Sequence, residues 1–107
     1  MRNASALLAI LSSGMVMIGS PAAASSAAAW QASARAGRTA CIAASGFKDA
    51  TATGPISFSD AIRRDVFLVR GTYRQSFMKG AKGTMLCLVD RRTHRAETSE
   101  AKGWSAR

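Results

Sequence analysis

One run, Thr84-Met85-Leu86-Cys87-Leu88-Val89, constrains this chain more than any other, because it favours β structure and is apolar at odd and even positions alike. Strand side chains alternate between faces, so Met85, Cys87 and Val89 share one side and Leu86 and Leu88 the other. A strand with one solvated face would be polar at alternate positions. This one is therefore either central in a two-sided core or presents an apolar face to a partner. Asp90 to Thr93 break the run as a turn would, and Arg95 to Thr98 suit a short polar edge strand.

The amino terminus carries a different signal. Met1-Arg2-Asn3 is a short positive start, Ala4 to Gly19 is apolar apart from small serines and glycines, and Ser20-Pro21-Ala22-Ala23-Ala24 supplies a breaker and an A-x-A site. These are the three parts of a secretory signal peptide, residues 1–24, with cleavage after Ala24 or a few residues later. The Ala4 to Gly19 stretch holds 16 residues, short of the ~20 that cross a bilayer core, so the mature chain is expected to have no transmembrane segment and to be periplasmic or secreted. Removing 24 of the 107 residues leaves 83, and the loss of Arg2 takes the net charge from +9 to +8. That is one small domain, 25–98, with a flexible tail at 99–107.

A hydrophobic core of this size is only marginally sufficient, and small exported domains usually carry a staple. Cys41 and Cys87 are the only cysteines, with 45 residues between them. Their pairing would contribute roughly 4 kcal/mol in the chain-entropy view. The alternative is two free or metal-binding thiols, for which no histidine or third cysteine completes a ligand set. No metal and no cofactor is expected.

From Ala27 to Ser45 the residues are helix formers, and Trp30, Ala34, Gly37, Cys41 and Ala44 recur on one helical face, with Arg35 and Arg38 towards solvent. Ser25 and Ser26 are candidate N-caps and Gly46 a C-terminal stop. Phe47 to Gly54 reads as a connection, Gly54-Pro55 as punctuation, and Ile56 to Ser59 as a first strand. Val66 to Tyr73 is the second strand, apolar on both faces at its start. Phe77 to Gly83 is a glycine-punctuated loop leading into the third. The fold class is α+β: an N-terminal helix packed on a small antiparallel sheet of three or four strands, stapled from helix to third strand.

A cysteine late in an N-terminal helix, a three-stranded meander, a second cysteine in the last long strand, then Asp90-Arg91-Arg92-Thr93 and a short final strand resemble small uncharacterised secreted proteins of alphaproteobacteria. More loosely, the pattern is similar to single PepSY-type domains over Thr39 to Glu97. The resemblance implies an accessory role in the cell envelope, as an inhibitor or partner of another protein, and it carries over no catalytic residue.

Candidate chemistry is sparse. Ser76-Phe77-Met78-Lys79 matches the S-x-x-K of serine acyl-transfer enzymes, but Ser59-Asp60-Ala61 and Lys82-Gly83-Thr84 only approximate the companion motifs. His94 is the only histidine, and no second general acid or base is in view. A small hydrolase using Ser76 and Lys79, or His94, is the alternative to a non-catalytic module. The carboxylates show no pairing for glycoside hydrolysis, and there is no phosphate-cradling glycine loop.

The basic excess has clearer consequences. Arg63, Arg64, Arg70, Arg74, Lys79, Lys82, Arg91, Arg92 and Arg95 lie in or beside the sheet and are candidates for anion binding, the targets being anionic lipid, lipopolysaccharide or an acidic protein. Sparse aromatic interleaving argues against nucleic acid. Leu86 and Leu88, on the face one helix would leave uncovered, are candidates for an interface with a protein partner or a second copy. The Phe77-Met78 loop and the Trp104 tail are the segments of the chain itself that could fold over that face.

Overall fold

The computed structural model describes residues 26–104, so the expected signal peptide lies outside the described residues. One helix, α1 (Ala27–Ser45), precedes four strands: β1 (Lys48–Ser57), β2 (Arg64–Thr72), β3 (Lys82–Asp90) and β4 (Ala96–Glu100). They form a single antiparallel meander in the order β1-β2-β3-β4, with α1 across one face, which is the expected α+β arrangement.

Helix α1 starts where Ser26 accepts a hydrogen bond from the Ala29 N–H at 3.0 Å. It stops at Gly46, whose φ of 69° lies in the left-handed region that glycine enters without steric cost. Gly37, Cys41 and Ser45 form its buried stripe. Three sequence expectations change here: Trp30, expected on the apolar face, is 41% exposed, its ring beside the Arg91 guanidinium. Ala44 is exposed, and Ser45 turns inward because its hydroxyl donates to the Ile42 carbonyl at 2.7 Å and accepts from the Phe47 N–H at 3.2 Å. Arg38, expected in solvent, reaches over the helix edge to lie 5.6 Å from the Phe67 ring centroid and donates to the Gly54 carbonyl at 3.0 Å; its long stem allows a charged head to do this while lying on apolar surface.

The first strand is the largest correction. It begins at Lys48, inside the expected connection, and ends at Ser57. Its alternation is present in the sequence, but the residues packed against the core are Ala50 and Ala52. The register breaks between Lys48 and Thr51 and between Thr53 and Ile56, the second break holding the cis Gly54-Pro55 bond. An edge strand tolerates both the proline and the irregularity. Strands β2 and β3 pair without a break from Arg64↔Asp90 to Thr72↔Lys82, and β3 is flanked on its other side by β4. The final strand runs through Glu100, past the start of the expected tail at 99. Ala101 beyond it is buried and donates its N–H to the Thr84 carbonyl at 3.0 Å.

The core lies between α1 and the sheet. Phe67 and Val69 of β2, Cys87 and Val89 of β3, Cys41 of α1 and Phe47 are all buried there, and Cys41 and Cys87 are disulfide-bonded with their Cα atoms 5.8 Å apart. Gly71 faces Phe47 so closely that a Cβ on it would come within 2.5 Å of the Phe47 Cβ. Close backbone approach is thus built into the strand beneath the helix end.

Candidate functional site

Because α1 covers one face, the sheet register decides what the other presents. Leu68 pairs with Thr53 and Leu86, and Leu86 with Ser99; Val66 pairs with Ile56 and Leu88, and Leu88 with Glu97; Arg70 pairs with Thr51 and Thr84. Directly opposed residues share a face, so these three rows form the open side. Within them lies a groove of about 520 Å³ bordered by Ile56, Phe58, Val66, Leu68, Leu86 and Trp104. Leu68 forms its buried floor, whereas Ile56 and Trp104 remain 67% and 68% exposed and Phe58 and Leu88 about half exposed.

Leu86 and Leu88 thus lie on the uncovered face as expected. Ile56 and Phe58 join them from the far edge, a contribution hinted at by the alternation Ile56-Ser57-Phe58-Ser59. Of the two segments that could fold over the face, Trp104 is the one bordering the groove, reached through a turn in which its N–H donates to the Ala101 carbonyl at 3.1 Å. Met78 borders a different hollow, of about 400 Å³, with Tyr73, Lys82, Lys102 and Trp104.

The nine candidate anion-binding residues fall into two groups at opposite ends of the sheet. Arg63, Arg64, Arg91, Arg92 and Arg95 cluster at the β1–β2 and β3–β4 turns; Arg70, Arg74, Lys79 and Lys82 lie towards the β2–β3 hairpin. The eight steps from Arg64 to Thr72 separate the ends by about 26 Å at ~3.3 Å per residue. Arg91 is not a surface cation. Its guanidinium donates to Asp65 at 2.8 Å, to Asp60 at 3.2 Å and to the carbonyls of Phe58, Ser59 and Arg64, and it lies 5.2 Å from the Trp30 ring centroid. Arg64 pairs with Asp90 at 3.0 Å, and Arg74 donates to the Gly46 and Phe47 carbonyls.

The candidate catalytic residues sit in two separate turns. Ser76 and Lys79 are exposed on a 3₁₀ turn, Ser76–Met78, in the β2–β3 hairpin. His94 is exposed in the β3–β4 turn with a left-handed φ of 60°. In that turn the Asp90 carboxylate accepts the N–H groups of Arg92 and Thr93, and these bonds, with the nearby arginine charges, hold its pKa below the usual 3.8 despite some desolvation. At the other end the Tyr73 hydroxyl donates to Glu100 at 2.7 Å, and that bond to a carboxylate raises the phenol's pKa above 10.0. Among the described residues no three His, Cys, Asp or Glu side chains are grouped to hold a metal ion, and no helix is long and apolar enough to cross a membrane.

Compared with known proteins, the chain matches no family model, no curated protein and no solved structure.

Proposed function

We propose that this protein is an exported, non-catalytic interaction module whose open sheet face docks a partner protein with an apolar centre and an acidic rim. The observation that carries the reading is the exposure of Ile56, Phe58 and Trp104 around an apolar groove on the side α1 does not cover, with half-exposed Leu88 paired to Val66 of its lining. Export is supported by the leader sequence and by a disulfide of the kind that persists in oxidising compartments.

The rim follows from area and charge. Four strands about 4.8 Å apart and up to about 26 Å long present roughly 500 Å², less than the ~800 Å² per partner of a stable interface. A docked protein therefore extends past the sheet ends, where it meets Arg63, Arg92 and Arg95 at one end and Arg70, Lys79 and Lys82 at the other. Acidic groups suit those positions. A second copy would bring two strongly basic surfaces together, which charge opposes.

A photo-crosslinking side chain placed at residue 88 in the living cell should give an adduct of one discrete mass, and the same group at the exposed helix position 35 should give none. Ile56→Lys should abolish the adduct without lowering the melting temperature. Equal yields at 88 and 35 would sink the reading, and an adduct of twice the chain's own mass would reassign the face to a homodimer.

A further inference from the structure

We propose a second contact surface beside the open face, sharing Lys79 and Lys82 with its rim: the β2–β3 hairpin end rests on an anionic phospholipid bilayer, with the Phe77 ring entering the headgroup layer. A hydrogen-bonded turn there holds an aromatic ring in water. Tyr73 donates its N–H to the Ala81 carbonyl at 3.0 Å, Met78 to Gln75 at 2.9 Å, Lys79 to Ser76 at 3.1 Å and Ala81 to Met78 at 3.0 Å. Lys79 and Gly80 take the left-handed conformations that close the turn, with φ of 53° and 72°. Phe77 projects from this frame 76% exposed, the most exposed large apolar residue of those described. It has no part in the buried core.

The surroundings of the ring are cationic. Lys79 follows it in the same turn, Lys82 and Lys102 border the adjoining hollow with Met78 and Trp104, and Lys48 and Arg74 lie at the same end of the sheet. Two carboxylates oppose these five cations: Asp49, and Glu100, which accepts the Tyr73 hydroxyl. An aromatic ring amid lysines matches the headgroup level of a bilayer, where rings sit among the glycerol groups and ammonium groups meet phosphate.

Shape separates this occupant from an acidic protein. A turn projecting from the end of a sheet meets a folded protein over a small area unless a cup is shaped to receive it, whereas a fluid interface closes around it. One ring and a few cations give weak, reversible attachment whose electrostatic part is screened by salt.

The test is co-sedimentation of the full chain with vesicles of phosphatidylcholine alone or mixed with phosphatidylglycerol, at low and at 0.5 M salt. Binding is expected to the anionic vesicles only and to fall at least tenfold at high salt. Phe77→Ser and the pair Lys79→Ala with Lys82→Ala should each lower it about fivefold or more with an unchanged circular dichroism spectrum. Leu88→Lys, which disables the open face, should bind vesicles as the wild type does, so loss of partner docking and loss of lipid binding are read separately. No sedimentation with anionic vesicles at low salt, equal binding to neutral ones, or wild-type binding by both hairpin variants overturns the proposal.

Discussion

Asp90 shows how much one side chain can organise in a short turn. Its Oδ1 accepts the Arg92 N–H at 2.7 Å and the Thr93 N–H at 3.2 Å while Oδ2 meets Arg64 at 3.0 Å. The turn therefore favours the charged carboxylate. A folded pKa below the unfolded one means that the group stabilises the fold at pH values above the ordinary 3.8. That contribution drains away as pH falls from there through the lowered folded value. Urea midpoints measured across pH should place Asp90→Asn below the wild type by a constant margin above pH ~5. The two curves should converge as acid removes the wild type's advantage. Curves that stay parallel into the acid range would show that the charge of Asp90 does nothing for stability.

Among the elements, the two turns at one end of the sheet are tied through Arg91. Its backbone N–H donates to the Arg63 carbonyl at 2.9 Å while its guanidinium gathers the oxygens of residues 58–60, 64 and 65. Both Arg91 and Asp65 are largely out of water, their side chains 10% and 3% exposed. Arg91→Ala strands the Asp65 charge and should cost about 3 kcal/mol in urea unfolding, with Arg91→Met and Asp65→Leu together recovering part of it; a loss under 1 kcal/mol would mean water replaces the guanidinium. None of this was legible in the sequence, where Arg91 is one arginine among many. Legibility followed the size of the inward residues. Helix α1, β2 and β3 announced themselves by Cys41, by Phe67 and Val69, and by Cys87 and Val89 at the right periods. By contrast, β1 packs Ala50 and Ala52 inward and carries Gly54-Pro55 in its middle, so a strand read as a connection. Trp104 is a lone aromatic in polar chain with no period to place it, and Arg38 is a charged residue lying on the core for reasons only the neighbouring ring supplies.

Over the whole molecule the division of labour is by face and by end: α1 closes one side, the apolar strip opens the other, and the cations gather at the two ends. The staple between α1 and β3 sits in the middle of this arrangement, with Cys41 and Cys87 both at 0% exposure. That burial makes the bond a clock. A small thiol reagent has no path to either sulfur while α1 lies on the sheet, so reduction waits for the helix to lift, and its speed counts how often that happens. Where reclosing outruns attack, the rate scales with the opening equilibrium. A variant weakened by about 3 kcal/mol, such as Arg91→Ala, should then lose its disulfide more than about a hundredfold faster in dithiothreitol. Equal rates would mean that the sulfurs are reached by a local motion that leaves the rest of the fold in place. The same timing runs forward as the chain folds, where the cysteines must meet an oxidant before α1 closes over them.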